Sequence, residues 1–370
     1  MRLKRSYEAV SRAFGALVAI RGGIRRLPGF MTATVLPAAI SMNPVTVFPG
    51  RYNDGGKHKA ISVSRLRQIL QEVLSDEDIS EERIVYVTGL IKDNFFRQDF
   101  SGEANWALAV ETLTRLSKAN PRLVRETLKY IFPPPQHSLE QWRGEHEKIL
   151  GTEETDALFN ELKKFADALK RRGKTKLVLF NATFTGGGVA EMVESFGGIL
   201  EQLGLEIEWQ IVYPSDPRFY QVTKAMHNTI RGNDTPISDE DLDLVESVNR
   251  DNAYIFREIF TDSQVAALYP EDPQVAPLIT FAAVVRKNSV QIPAPIFARY
   301  HIDFSGVQQK FTYATKVWDW IVRSCVALDR NDKVLFQPFS VPENPGIRVP
   351  FVEQPAGIDV LAEKNLRLSW

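Results

Sequence analysis

The chain has 370 residues, of which 44% are hydrophobic and 25% are charged, and this composition excludes a disordered or fibrous protein. Its length is sufficient for two ordinary domains. The 45 basic and 46 acidic residues give a formal charge of -1, so the chain has no net attraction for nucleic acid or for an anionic membrane.

Cysteine and histidine usage limits the chemistry further. Cys325 is the single cysteine, which excludes an intramolecular disulfide and fits a reducing compartment. We expect it to be a small apolar filler on a helix. None of the 5 histidines approaches another at metal-ligand spacing, so we predict no metal site.

Residues 1–30 form a basic leader or extension in which Glu8 is the single acid. Two interpretations stay open: a mitochondrial-type targeting segment, or an extension upstream of a start at Met31. The apolar run from Phe14 to Ile20 is shorter than the ~20 residues that span a bilayer. We therefore predict a cytoplasmic protein, or a mitochondrial one if the leader is a targeting segment, without membrane association.

Residues 31–135 are predicted to be a helical N-terminal module. The helical pattern runs from Ser62 to Ile131, and Asn120-Pro121 supplies a cap followed by proline at a first helical position. The run Pro133-Pro134-Pro135 cannot continue a helix, so we place a domain boundary between Phe132 and about Gly151. For the role of this module we keep two alternatives, a dimer contact and the shielding of a sheet edge.

Residues 151–370 are predicted to be an α/β domain, because helical patterns alternate there with short β-branched runs. Thr155 is expected to cap a helix that ends at Gly173. A strand at Lys176–Phe180, a glycine-rich turn, a helix and a strand at Ile207–Val212 then form a parallel unit. Further predicted strands are Val265–Tyr269, Ile296–Tyr300 and Val334–Phe336. The predicted fold class is a Rossmann-like, doubly wound parallel sheet.

Three glycines, Gly186, Gly187 and Gly188, separate the first strand from its helix. Such a turn lets the backbone approach a ligand, and the amides at the helix start favour phosphate. The pattern is not a dinucleotide fingerprint, because Glu191 occupies the place of the third glycine, and no Gly-Lys-Ser/Thr of a P-loop follows. This argues against a dehydrogenase. By spacing alone, a tight structural turn is the alternative.

Several segments in order resemble nucleotide-sugar-dependent trehalose synthases and trehalose phosphorylases of glycosyltransferase family 4. They are Gly186–Met192, Leu203–Trp209, Phe219–Asn228, Asp272–Ile279, Tyr300–Ser305 and Ile358–Asn365. The resemblance covers roughly residues 152 to 370 and implies two facing Rossmann-like domains, the first holding mainly the sugar acceptor and the second the nucleotide-sugar donor. Because the sequence stops at Trp370, we expect the second domain to be absent and turnover by the isolated chain to be low.

The resemblance implies retaining glucosyl transfer to or from glucose, in trehalose synthesis or phosphorolysis. Glucose or a related sugar and nucleoside-diphosphate glucose or glucose-1-phosphate are the expected substrates, without a separate cofactor. A second chain with the nucleotide-binding domain, and a homodimer, are the expected protein partners. The alternative is a non-catalytic sugar- or phosphate-binding relative that acts as a partner subunit or sensor.

Two residues are candidates for the catalytic centre. His301 follows a strand at its carboxyl end, and the resemblance implies that it meets the donor sugar. Asp303 either orients that imidazole or caps the next segment.

The candidates for substrate or phosphate binding are Gly186, Gly187, Gly188, Val189, Lys224, Asn228, Asp272 and Gln274. Lys224, His227 and Asn228 share a helix face, for which a solvated surface is the alternative. The resemblance places Asp272 and Gln274 near the acceptor hydroxyls. Glu271 stands where the family has histidine, which predicts altered or lost sugar binding. Trp209 is expected to lie in the core.

Overall fold

A computed structural model of the chain describes residues 61–97, 103–132, 138–184, 188–287, 294–329, 332–336, 342–347, 349 and 351–353. The basic leader, the run from Pro133 to Pro135, the glycines Gly186 and Gly187, and the family segment Ile358–Asn365 lie outside the described residues. The expectations for those segments stay predictions.

The described helices fall into a group before the first strand and a group between strands. The first group is α1 (Val63–Ser75), α2 (Glu81–Arg97), α3 (Glu103–Ala119), α4 (Pro121–Leu128), α5 (Leu139–Leu150) and α6 (Thr152–Lys170). The second is α7 (Gly188–Gln202), α8 (Arg218–Asn228), α9 (Asp239–Ile255), α10 (Pro277–Lys287), α11 (Ser305–Gln308) and α12 (Thr312–Cys325). None of these helices combines the length and the apolar character that crossing a bilayer requires.

The strands form two parallel three-stranded sheets that meet edge to edge. They are β1 (Lys176–Asn181), β2 (Glu206–Ile211), β3 (Val265–Pro270), β4 (Phe297–Tyr300), β5 (Lys333–Phe336) and β6 (Phe351–Glu353). One sheet has the order β2-β1-β3 and the other β4-β5-β6, and every pair is parallel. Parallel bridges from Leu268 to Ile296 and from Glu271 to Arg299 join β3 to β4. The strand order reverses between β1 and β3, so the predicted Rossmann-like α/β class is confirmed.

Local capping signals fix several helix ends. Ser62 caps α1 by accepting a 3.3 Å hydrogen bond from the Arg65 N–H, and Asn120 caps α4 by accepting one of 3.1 Å from the Leu123 N–H. The prediction for Thr155 was wrong. Helix α6 begins three residues earlier, at Thr152, and Thr155 is fully buried within it. The capping position is taken by Gly151, whose φ of 87° favours glycine.

The helical module covers the outer edge of the sheet, which is formed by β2. The Tyr130 N–H, just after α4, donates a 2.8 Å hydrogen bond to the Trp209 carbonyl, and the Gln210 side chain donates one of 3.1 Å to the Arg125 carbonyl. The Trp209 ring is fully buried, as predicted, and its centroid lies 4.8 Å from that of Tyr130. Of the two roles considered for the module, the structure shows the edge-shielding one.

A group of four buried or half-buried charges ties α4 to the sheet. The Arg125 Nε donates a 2.7 Å hydrogen bond to Glu208 on β2, and its guanidinium lies 3.0 Å from Asp262. The Lys176 ammonium on β1 lies 3.4 Å from Asp262 and 3.7 Å from Glu208. Burial acts to raise the pKa of Asp262, but the Gln264 N–H and the charges of Arg125 and Lys176 outweigh it and lower that pKa. Two cations thus neutralise two anions that the core could not otherwise hold.

Removing Arg125 will test this connection. We expect Arg125→Met to lower the free energy of unfolding by about 3 kcal/mol, because Glu208 then remains buried without its main partner. Urea denaturation of the full chain measures the change. The matched control is Arg143→Met, whose partner Asp156 sits in an ion pair with side chains 45% and 48% exposed, and which should cost less than about 1 kcal/mol. Equal losses in the two variants would contradict the assignment.

Candidate functional site

Three neighbouring strands end at the same edge of the sheet. Asn181 is the last residue of β1, Glu271 and Asp272 follow β3, and His301 follows β4. In open parallel sheets, ligands bind outside the carboxyl ends of the strands, at the point where the strand order reverses. The candidate site therefore lies at this edge. We call the following residues the strand-end cluster: Asn181, His227, Glu271, Asp272, Gln274, Arg299 and His301.

Asp272 connects the ends of β3 and β4. Its N–H donates a 2.6 Å hydrogen bond to the Arg299 carbonyl, and its Oδ1 accepts one of 2.8 Å from the His301 N–H. Its backbone has φ 67° and ψ 164°, a conformation that costs a non-glycine residue on the order of 1–3 kcal/mol. Such strain persists where the surroundings hold the residue firmly, and it is concentrated at functional sites.

The imidazole of His301 is held by a buried carboxylate. Its Nε2 lies 2.7 Å from Glu271 Oε2, and the His301 side chain is 12% exposed whereas that of Glu271 is fully buried. Arg299 completes the group, because its Nε donates a 3.0 Å hydrogen bond to Oε2 and its terminal nitrogen lies 2.7 Å from Oε1. The Arg299 guanidinium also lies 5.6 Å from the centroid of the Tyr269 ring. Among the described residues, His301 Nδ1 has no hydrogen-bond partner.

Gln274 links the other side of the strand-end cluster. Its Oε1 lies 2.8 Å from His227 Nε2 on α8, and its amide nitrogen lies 3.3 Å from Asn181 Oδ1. The Gln274 carbonyl accepts a 2.8 Å hydrogen bond from Asn249 on α9. These contacts hold α8, α9 and the end of β1 around one buried amide.

The remaining predicted binding residues differ in their burial. On α8, His227 faces Gln274, Asn228 is half-buried and Lys224 is exposed to solvent. Gly188 is the first residue of α7, and Val189 follows it half-buried. Gly186 and Gly187 belong to the part of the turn that is not described.

Asp303 lies just before α11, whose N-cap position is occupied by Phe304. Its Oδ1 accepts a 2.9 Å hydrogen bond from the Ser305 N–H, at the start of α11, and its side chain is exposed. The partner of the His301 ring is Glu271 instead. Asp303 therefore does not orient the imidazole, in contrast to one of the two predicted alternatives.

Two buried tyrosines and one cysteine flank the site without taking part in its exposed surface. Burial raises the pKa of the Tyr269 hydroxyl and of the Tyr300 hydroxyl, so both phenols stay protonated at neutral pH. Cys325 is 1% exposed on α12, as predicted, and burial raises its thiol pKa to about 12. Within the described ranges, no group of three potential metal ligands occurs.

The sequence alone does not predict a role for Arg299 or its pairing with Glu271. A signal for Arg299 exists, because an arginine inside the buried run Phe297–Tyr300 requires a partner in the protein. The identity of that partner is not encoded nearby, since Glu271 lies 28 residues away. The sequence places His227 on a helix face with Lys224 and Asn228, but its contact with Gln274 spans 47 residues and depends on the fold.

Comparison with known proteins supports the resemblance. Residues 179–338 match the family described as the N-terminal domain of trehalose synthase. The chain is 30% identical over 226 residues to a trehalose synthase of Pyrococcus horikoshii, a match that covers 60% of this chain and 47% of that protein. It is 31% identical over 214 residues to a trehalose synthase of Rubrobacter xylanophilus, covering 57% and 46%.

A trehalose phosphorylase of Pleurotus sajor-caju is 28% identical over 175 residues, which cover 44% of this chain and 22% of that protein. The resemblance to trehalose synthases and trehalose phosphorylases is thus confirmed. The chain spans about half the length of the curated trehalose synthases that it matches.

The segment after His301 is packed tightly against the loop after α8. A Cβ atom added to Gly306 would lie 2.6 Å from the Thr229 carbonyl oxygen, 2.7 Å from that of Ile230 and 2.8 Å from the Gly232 nitrogen. All three are backbone atoms, which cannot rotate away as a flexible side chain can. Ser305 adds a 2.8 Å hydrogen bond from its hydroxyl to the Arg231 carbonyl.

We expect Gly306→Ala to push these two segments apart and to cost about 1–3 kcal/mol of unfolding free energy. Thermal and urea denaturation measure the loss. Gly144→Ala is the matched control, since Gly144 is also helical and its added Cβ meets nothing within 4 Å. That substitution should be neutral or stabilise by up to about 1 kcal/mol. A Gly306→Ala protein as stable as the wild type would refute the close packing.

Proposed function

We propose that the α/β domain binds a glucose unit at the strand-end cluster and takes part in the glucosyl transfer that makes or breaks trehalose. The observation that carries this proposal is the position of Asp272, Gln274 and His301. The resemblance implies sugar contacts for all three, and they lie at the same edge of the sheet, where Asp272 is hydrogen-bonded to His301 and Gln274 to Asn181. The names of the related proteins, trehalose synthase and trehalose phosphorylase, support the substrate class.

The chemistry of the cluster suits a sugar. Sugar hydroxyls both donate and accept hydrogen bonds, so a site needs carboxylate and imidazole acceptors next to amide donors. Asp272 uses Oδ1 for the His301 N–H, and its Oδ2 has no partner among the described residues. We assign Oδ2 and the free ring nitrogen of His301 to glucose hydroxyls. Hydrogen bonds to a charged acceptor contribute about 1.5–3 kcal/mol each.

The negative charge that develops on the leaving group must also be stabilised. When phosphate or a nucleoside diphosphate leaves, cations or amide donors must already face it. In this proposal the N-terminus of α7, with Gly188 and Val189, supplies part of that stabilisation, and a nucleotide-binding domain opposite the site supplies the rest. The acceptor attacks on the face that the leaving group vacates, with retention of configuration, and His301 positions a hydroxyl instead of acting as the nucleophile.

A second candidate is a non-catalytic sugar-binding relative. The observation that favours it is Glu271, which occupies the position where the resemblance implies histidine. Its side chain is fully buried and both oxygens face Arg299 or His301, so it offers no group to a sugar. One sugar contact of the family is thereby replaced by an internal one.

Sugar binding is testable on the full chain. We expect Asp272→Asn to weaken binding of glucose and of trehalose about tenfold, because a neutral amide replaces the charged acceptor. Asparagine has the same shape as aspartate and adds no backbone strain beyond that already present, so the fold should persist. Isothermal titration calorimetry measures the affinity, with Asp156→Asn on α6 as the surface control. If the wild type binds neither sugar, or if Asp272→Asn binds as well as the wild type, the assignment of Asp272 fails.

Turnover separates the two candidate functions. We expect the chain alone to form little trehalose from glucose and nucleoside-diphosphate glucose or glucose-1-phosphate, and to form it when the nucleotide-binding domain of a related trehalose synthase is added. His301→Ala should abolish the activity of the pair. Trehalose is quantified by chromatography. Sugar binding without turnover under both conditions would favour the non-catalytic candidate.

A further inference from the structure

Glu271 and His301 form a carboxylate–imidazole pair that is built into the joint between the two sheets. Glu271 and Arg299 are the residues of one of the two bridges that join β3 to β4, and His301 follows Arg299 and Tyr300. We propose that Glu271 is a positioning residue that fixes the tautomer and the orientation of the His301 ring, so that Nδ1 is presented to a substrate hydroxyl as an acceptor. This inference rests on the proposed function in that the hydroxyl belongs to the glucosyl substrate.

The proton between the two side chains belongs to the imidazole. Arginine stays cationic at any pH that proteins tolerate, and the Arg299 guanidinium contacts both oxygens of Glu271, so the two side chains form an ion pair. An ionised carboxylate only accepts hydrogen bonds. The 2.7 Å contact between Glu271 Oε2 and His301 Nε2 therefore requires a proton on Nε2.

A neutral imidazole carries one ring proton. With that proton on Nε2, Nδ1 has a lone pair, and Nδ1 has no partner among the described residues. The side chain retains 12% exposure, so it is not completely enclosed by the protein. A hydroxyl of the substrate supplies the hydrogen that Nδ1 lacks.

The ring is fixed from two directions. The backbone N–H of His301 donates a 2.8 Å hydrogen bond to Asp272 Oδ1, and the ring Nε2 lies 2.7 Å from Glu271 Oε2. Arg299 in turn is held by its pairing in β4 and by the ring of Tyr269, 5.6 Å from the guanidinium carbon. Because each partner is buried, the imidazole is oriented before any ligand arrives, and orientation in advance lowers the entropic cost of binding.

A role confined to the strength of the sheet joint is the competing explanation. It accounts for the Glu271–Arg299 pair but requires no particular tautomer of His301. Glu271→Gln separates the two explanations, because a carboxamide has one acceptor oxygen where the carboxylate has two. With the amide nitrogen in the place of Oε2, both the Arg299 Nε and the His301 Nε2 face an N–H donor; in the place of Oε1, it faces the terminal nitrogen of Arg299. In both orientations His301 loses the charged acceptor that favours a proton on Nε2. We expect the Nε2–H tautomer to lose its dominance and the Nδ1–H tautomer to be populated.

The tautomer is read from long-range nitrogen–proton NMR spectra of the full chain labelled with ¹⁵N-histidine, without sugar. Spectra are recorded at about pH 8.5, roughly two units above the ordinary histidine pKa, and a His301→Gln sample assigns the signal. The wild type should show a single Nε2–H tautomer. A wild type with the Nδ1–H tautomer, or Glu271→Gln with an unchanged one, would overturn the proposal.

Calorimetric titration with trehalose, which contains two glucosyl units, gives the functional consequence. We expect Glu271→Gln to bind trehalose about tenfold more weakly than the wild type. Glu208→Gln is the matched control, since that glutamate is equally buried and paired with Arg125; it should change neither tautomer nor affinity. A changed tautomer with wild-type affinity would overturn the positioning role.

Two further measurements keep the inference independent of folding and of the proposed function. Glu271→Asp retains the charge opposite Arg299 but withdraws it from His301, so it should keep more stability than Glu271→Gln and still show a mixture of tautomers. Failure of the wild type to bind trehalose would refute the proposed function, whereas the tautomer in the sugar-free spectra would still decide whether Glu271 sets the ring.

Discussion

The pairing of β3 with β4 rests on two bridges, and the one nearer the carboxyl edge consists of Glu271 and Arg299. A buried ion pair is costly unless hydrogen bonds satisfy both groups. Here the Arg299 Nε donates a hydrogen bond to the Glu271 carboxylate, and the Arg299 carbonyl accepts one from the Asp272 N–H. The joint between the two sheets and the candidate site are therefore one set of contacts, and a change to either affects both.

This arrangement explains why a strained residue lies beside a buried charge. Asp272 can hold its positive φ because Arg299 fixes its N–H and His301 fixes its carboxylate. The turn aims the chain toward Gln274, whose amide meets Asn181 at the end of β1. Strain, ion pair and amide contacts thus place the ends of three strands in one fixed geometry. At the opposite side of the sheet, the helical module meets β2 through Arg125 and Glu208, and there buried charge serves attachment instead of a site.

What the sequence predicts well is local. The caps at Ser62 and Asn120 involve residues three positions apart, and the strands of the first β-α-β unit follow from short apolar, β-branched runs of strand length. The positive φ of Asp272 is not predictable in this way, because the residue before a proline normally favours an extended conformation with negative φ. Three-residue strand β6 was missed, since a run of that length gives no usable period. The glycine-rich turn is compatible with a ligand site or with a tight structural turn, and the resemblance to a family is what favours the ligand site.

The departure at Glu271 shows why a substitution in a site has to be interpreted together with its neighbours. In the sequence it places an anion where a neutral ring is expected, which speaks for loss of sugar binding. In the fold, Arg299 forms an ion pair with that carboxylate, and His301 Nε2 lies 2.7 Å from it. The carboxylate is therefore buried among protein groups and is one of the contacts of the neighbouring imidazole. A carboxylate behind an imidazole orients the ring and raises the basicity of its other nitrogen. Under the proposed function, the substitution that removes one sugar contact would therefore strengthen the next.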